Sequence, residues 1–173
     1  YWSDYYNSII SPFYSYSTGR TKETLRSSQV TCRDIDDDGY IEIPEDTSSK
    51  KQSSEITSQN WVNYGNTVLS HKCYSFSCKR DGYILVIDDD DFSKVKANYD
   101  SESRKLTIIN KKNKSNVFEI VTLINSNYSV NDPKYKDYTM IMKNSGFVYL
   151  AKVNKSSDID INIQTLKDMI KVY

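Results

Sequence analysis

The apolar positions fall into short stretches of period two, followed by one late stretch of longer period. Tyr74, Phe76 and Cys78 alternate with Ser75 and Ser77, the pattern of a half-buried strand. Arg80-Asp81-Gly82 supplies a turn, with Asp-Gly as the hairpin signal. Tyr83-Ile84-Leu85-Val86-Ile87 is continuously apolar, too short for a helix and suited to a central strand. Val95 to Tyr99 and Leu106 to Ile109 flank a turn at Asp100-Ser101-Glu102-Ser103. The polar turn 111–116 leads into Val117 to Ile124, and Lys143-Asn144-Ser145-Gly146 joins Tyr138–Met142 to Phe147–Val153. Ile161, Ile163, Leu166, Met169, Ile170 and Val172 then largely follow helical spacing, with Asp158 or Asp160 as the expected cap. The fold class expected is α+β: a meandering antiparallel sheet with a C-terminal helix on one face.

Three regions follow from the same reading. Residues 1–45 begin with an aromatic cluster, Tyr1, Trp2, Tyr5, Tyr6, Phe13, Tyr14 and Tyr16, and end in an acidic loop. Residues 46–58 are polar until Ile56, a linker composition. Residues 59–173 form the main body. The chain opens at Tyr1 without Met, which implies a piece of a longer polypeptide.

Composition excludes more than it proposes. The chain has 173 residues and equal numbers of basic and acidic side chains, 23 each, which argues against nucleic acid as a partner. No apolar run approaches the ~20 residues of a membrane span. One histidine and five glycines leave little material for His-based relays or phosphate-cradling loops. Cys32, Cys73 and Cys78 are too few for a disulfide scaffold. Cys73 and Cys78, five apart on a strand, point to opposite faces. His71-Lys72-Cys73 with Cys78 suggests a zinc half-site or, more plainly, free thiols. Asp88 to Asp91 reads as a solvated strand-end turn or a second cation site.

One motif carries specific chemistry. Asp34-Ile35-Asp36-Asp37-Asp38-Gly39-Tyr40-Ile41-Glu42-Ile43-Pro44-Glu45 matches the calcium-loop pattern D-x-[DN]-x-[DN]-G-x5-E. Calcium takes six to eight hard oxygens, and alternate carboxylates in a tight loop converge on one point. Asp34, Asp36, Asp38 and Glu42 are the expected carboxylate ligands and Tyr40 the expected carbonyl ligand, with Glu45 a further candidate. Gly39 is expected to turn the chain and Ile41 to anchor the loop in the core. Asp37 adds a charge without evident compensation. Pro44 and the strand-favouring Ser28-Gln29-Val30-Thr31-Cys32 replace the helices of an EF-hand, so the expectation is strand–loop–strand. The alternative is a bare acidic turn.

Residues Cys32 to Pro44 resemble the aspartate-rich loop of FG-GAP and VCBS-type repeats, the blades of cell-surface β-propellers. The Ile-Glu-Ile-Pro tail is similar to the last such repeat in surface lipoproteins of Gram-positive gut bacteria. In those proteins it is followed by a polar linker, a tryptophan and a small α+β domain of unassigned function. The order here is the same, with Trp61-Val62-Asn63-Tyr64 after the Ser-rich stretch, then Gly82–Ile87, Val117–Val121 and Val148–Ala151. The resemblance implies an extracytoplasmic protein, lipid-anchored at the cell surface through an upstream region, with upstream domains of the same polypeptide as partners. It implies no catalytic residue. The expected function is a non-enzymatic surface binding or structural module, with Ca²⁺ stiffening the interdomain junction and a surface ligand unspecified. The alternative is a carboxylate-dependent hydrolase acting on cell-wall or host glycan.

Overall fold

The run Tyr83–Ile87 is apolar on both pleat faces, and the fold answers with layers on either side of it. The computed structural model describes residues 2–11, 14–15, 17–18, 20–21, 30–47, 55–65, 68–129, 132–155 and 157–173. Two small hairpins come first: β1 (Trp2–Ser3) pairs β2 (Ser8–Ile9), and β3 (Tyr14–Ser15) pairs β4 (Arg20–Thr21). Then follow β5 (Ile43–Asp46), β6 (Ile56–Gly65), β7 (Val68–Cys78), β8 (Tyr83–Ile87), α1 (Asp89–Lys94), β9 (Val95–Asp100), β10 (Lys105–Asn110) and β11 (Asn116–Ile124). The chain ends with β12 (Thr139–Lys143), β13 (Phe147–Val153), α2 (Ile163–Met169) and β14 (Ile170–Val172).

These strands build two five-stranded antiparallel sheets. The first has the order β14-β8-β7-β6-β5 and the second β12-β13-β11-β10-β9. One meandering sheet was expected. The chain instead changes sheets at α1, between β8 and β9, so that each sheet buries its apolar face on the other. Phe76, Leu85 and Ile87 of the first sheet and Leu106, Phe118, Ile120 and Tyr149 of the second share one core. The Tyr83 and Tyr149 rings meet edge to face at 5.5 Å.

Tyr83, Leu85 and Ile87 point into that core, while Ile84 and Val86 point to the outer face of the first sheet. There Trp61, Ile84, Cys73 and Val86 are covered by Val30 and Ile35 from the segment carrying the acidic loop. The uninterrupted apolar run of β8 is therefore a strand buried on both sides. Ser75 and Ser77 are buried as well, and hydrogen-bond to side chains of β6 rather than facing water. Trp61 Nε1 donates to Ser75 Oγ at 2.8 Å, and Ser77 Oγ donates to Gln59 Oε1 at 2.6 Å.

The C-terminal helix exists but is short. Asn162, not Asp158 or Asp160, caps it, its Oδ1 accepting from the N–H groups of Gln164 and Thr165 at 2.8 and 3.0 Å. Ile170 and Val172 fit the helical stripe only by count. They are two apart, the strand period, and they extend the first sheet as β14 beside β8. Helix α2 touches strands of both sheets, β8 and β14 of one and β12 and β13 of the other, rather than lying across one face.

Of the segment 46–58, residues 48–54 lie outside the described residues; Asp46 belongs to β5, and Ile56 to Ser58 belong to β6. In the aromatic cluster, Tyr1, Phe13 and Tyr16 lie outside the described residues. Tyr5 and Tyr6, 89 % and 65 % exposed, meet edge to face at 4.8 Å. No helix among the described residues is long and apolar enough to cross a membrane.

Candidate metal centre

The acidic loop is closed by a single antiparallel pair. Arg33 and Glu42 exchange both backbone hydrogen bonds, at 3.2 and 2.9 Å. The expected upstream strand reduces to that bridge: Ser28 and Gln29 lie outside the described residues, and Val30 to Cys32 are not strand. Downstream, β5 is as expected. The pairing sets the parity of the side chains. Glu42 turns inward and is fully buried, while Ile41 is 61 % exposed. The expected anchor is thus wrong; Ile35, completely buried against Trp61, fixes the loop, and its N–H donates to Glu42 Oε2 at 3.0 Å.

Inside the loop the carboxylates organise the backbone. Asp34 accepts from the N–H groups of Asp38 and Gly39 at 3.1 and 2.8 Å, and Asp38 accepts from Tyr40 N–H at 2.9 Å. Asp37 and Gly39 both have positive φ, 62° and 90°. At Gly39 this is the conformation in which a side chain is strained. Asp37 was expected to carry an uncompensated charge. Its carboxylate instead meets Lys171 Nζ on β14 at 2.5 Å, which holds its pKa below the usual carboxylate range. Arg33 Nη1 donates to Val172 O at 2.9 Å, a second tie to the same strand.

The loop brings together carboxylate oxygens of Asp34, Asp36, Asp38 and Glu42, all within 4.8 Å of one another. It is the one group of three or more such side chains with that reach among the described residues. Glu45 is not in it: it lies in β5, with its Oε2 accepting from Asn60 Nδ2 at 3.0 Å. Tyr40 is exposed at the loop tip.

The electrostatics are those of crowded oxygens around one cation. Lys72 Nζ lies 3.0 Å from Asp36 Oδ2 and 2.6 Å from Asp38 Oδ2. Hydrogen bonds to these carboxylates raise the Lys72 pKa, and the same contact lowers that of Asp38. Burial pushes the Glu42 carboxyl up, with smaller contributions from Asp36 and Asp38. Glu42 Oε1 also accepts from Asn63 Nδ2 at 3.3 Å.

Lys72 reaches the loop because of an irregularity in the sheet. Trp61 pairs Cys73 and Val62 pairs His71, leaving Lys72 as the extra residue of a β-bulge. A bulge re-aims a side chain that strict alternation would send to the other face. Lys72, Lys171, Arg33 and Asn63 were not legible as site residues. Lys72 and Lys171 lie 34 and 134 residues from the carboxylates they meet, and nothing local marks them.

The other candidates are dispersed. His71 Nε2 lies 2.7 Å from Asp89 Oδ1, and its Nδ1 meets Asn60 Oδ1. Cys73 belongs to the outer cluster and Cys78 to the main core, so no zinc site assembles from them. Burial pushes both thiols up to about 12. Cys32, Cys73 and Cys78 are all free. The Asp88–Asp91 run is not a bare turn but the start of α1, with acidic side chains where the helix dipole favours them. Asp91 pairs with Lys94 at 3.1 Å.

Comparison of the chain with protein-family models, curated proteins and solved structures returned no match.

Proposed function

We propose that this chain is a non-enzymatic binding or structural module of an exported protein, and that its acidic loop takes Ca²⁺. The observation that carries this reading is the convergence of Asp34, Asp36, Asp38 and Glu42 within 4.8 Å in a D-x-D-x-D-G sequence. Four carboxylates offer the hard oxygens calcium takes. Tyr40 would add its carbonyl, and the Lys72 ammonium would withdraw from Asp36 and Asp38 as the ion enters. The loop lies on the outer face of the first sheet and is tied to β14, so a bound ion would stiffen the attachment of residues 30–47 to the sandwich. Placement at the cell surface, lipid anchoring through an upstream region and an α+β domain identity rest on the resemblance of residues 32–44 to propeller-repeat loops.

The test is thermal unfolding in EDTA and then in ~5 mM CaCl₂ for the parent and for Asp36→Ala. One ion at about a hundredfold excess over its Kd adds about 3 kcal/mol. The parent midpoint should rise by about 6–12 °C and the variant midpoint should not. If neither midpoint moves, the loop is a bare acidic turn.

A further inference from the structure

We infer that this protein binds an acidic polysaccharide along a lysine-lined groove that crosses the outer face of the second sheet and turns around its end. In β11, Glu119 stands opposite Lys152 of β13, and Val121, two residues on, stands opposite Lys105 of β10. All four side chains therefore share one face. Tyr138 lies across that face: its hydroxyl donates to Glu119 Oε2 at 2.5 Å, and Lys152 Nζ stands 5.9 Å from its ring. On one side of Tyr138 is a depression of about 120 Å³ bounded by Lys105, Lys134 and Tyr135. On the other is one of about 280 Å³ bounded by Lys152 and Lys155. The second depression does not end there. Val153, Asn154 and Lys155 also line one of about 360 Å³, and Ile159 carries that into one of about 470 Å³ bounded by Lys94, Lys111 and Lys112.

The charge along this path is unbalanced. Seven lysines line it against three carboxylates, Glu119, Asp158 and Asp160. Both Glu119 oxygens are engaged, by Asn116 Nδ2 at 2.6 Å and by Tyr138, and Asp158 Oδ2 accepts from Asn113 Nδ2 at 3.1 Å. Lys112, Lys134 and Lys155 have no carboxylate partner among the described residues. In a chain of zero net charge this is segregation: cations outnumber anions here, while Asp34–Asp38 concentrate anions on the other sheet. Lysines spaced along an open channel suit a chain with repeating negative groups better than a compact ligand. Tyr135 and Tyr138 offer amphipathic surface of the kind that receives a sugar ring. Nucleic acid is the competing repeating polyanion, and single-stranded DNA is therefore an arm of the experiment.

The inference rests on the reading of the chain as a binding module and not on the calcium loop. The experiment is affinity electrophoresis of the full chain in EDTA through gels containing polygalacturonate, dextran or single-stranded DNA. Polygalacturonate should retard the parent and dextran should not. Lys112→Ala/Lys134→Ala/Lys155→Ala should weaken that retardation about tenfold. Lys79→Ala/Lys143→Ala/Lys167→Ala, with the same charge change outside the groove, should behave as the parent. Asp36→Ala should also behave as the parent, which separates this result from the calcium reading. No retardation in polygalacturonate overturns the inference. So does an equal loss in the control triple, or retardation in DNA as strong as in polygalacturonate.

Discussion

Arg104→Ala should be among the most damaging single substitutions in this protein, although the residue sits in a turn. Asp81 is completely buried, and its carboxylate receives Arg104 at 2.7 Å from Nε and 2.6 Å from Nη2. Tyr99 Oη donates to the other oxygen at 2.9 Å, and Tyr149 Oη donates to the Asp81 carbonyl at 2.8 Å. Arg104 enters from the turn before β10 and stacks over Phe147 of β13 at 4.6 Å, so the pair joins the two sheets. Removing the guanidinium leaves the buried carboxylate with the Tyr99 hydroxyl and the weak thiol donor of Cys78, 3.5 Å from Oδ2. Breaking a buried pair this way costs about 3–5 kcal/mol. For a chain of this length that is about 10 °C in midpoint. Lys152→Ala breaks exposed contacts, with Asp137 at 3.3 Å and over the Tyr138 ring at 5.9 Å, and should cost under about 1 kcal/mol. Urea unfolding, with the slope checked for constancy, measures both. The double variant Asp81→Asn/Arg104→Met should recover much of the loss, because it removes the stranded charge. A cost below about 1 kcal/mol for Arg104→Ala, or no recovery in the double variant, would refute the reasoning.

The remaining predictions are narrower. In the native protein a thiol reagent at pH 8 should label Cys32 and spare Cys73 and Cys78 until urea unfolds the chain, as counted by mass spectrometry. The folded pKa values of Cys73 and Cys78 stand at about 12 against 9.0. Above pH 9 the unfolded chain therefore binds fewer protons than the folded one, and urea midpoints should fall as pH rises from 9 toward 12. Gly39→Val should destabilise by about 1–2 kcal/mol through its φ of 90° and not through crowding, because a Cβ there meets no atom within 4 Å; circular dichroism should show the sheets intact. Lys72→Met should lower the midpoint in EDTA and enlarge the calcium-induced rise, because it removes the positive charge between Asp36 and Asp38; an unchanged calcium response would count against Lys72 as the counter-ion.

Sequence pattern reached as far as local physics did. The run Tyr83–Ile87 announced a central strand because its apolar residues occupy both pleat faces, and the polar turns of the second half punctuate β9 to β13 close to where they were expected. The number of sheets was not legible, since a meander and a sandwich share the same alternation and differ only in where the chain changes layer. Ser75 and Ser77 looked like a wet face because no local signal says that they will be buried and hydrogen-bonded to Trp61 and Gln59 on the neighbouring strand. The convergence of Asp34, Asp36, Asp38 and Glu42 was legible from spacing alone. Ile41 was mistaken for the anchor because parity depends on the Arg33–Glu42 pair, a contact across the loop. Ile170 and Val172 were drawn into a helix by counting apolar residues rather than by the period between them.

The ties from the acidic loop to β14 also bear on the order in which the molecule can be completed. Asp37 waits for a partner 134 residues later in the chain, and Arg33 for one 139 residues later. At typical ribosomal speeds the delay is roughly 7–27 s. For that interval the loop has emerged, but neither Lys171 nor the Val172 carbonyl exists to receive it. Contacts of such long sequence separation are also the slow ones to form in refolding. β14 therefore acts as a latch that closes only after the loop it ties has waited for it, and deleting Lys171 and the residues after it should loosen the acidic loop as well as β14.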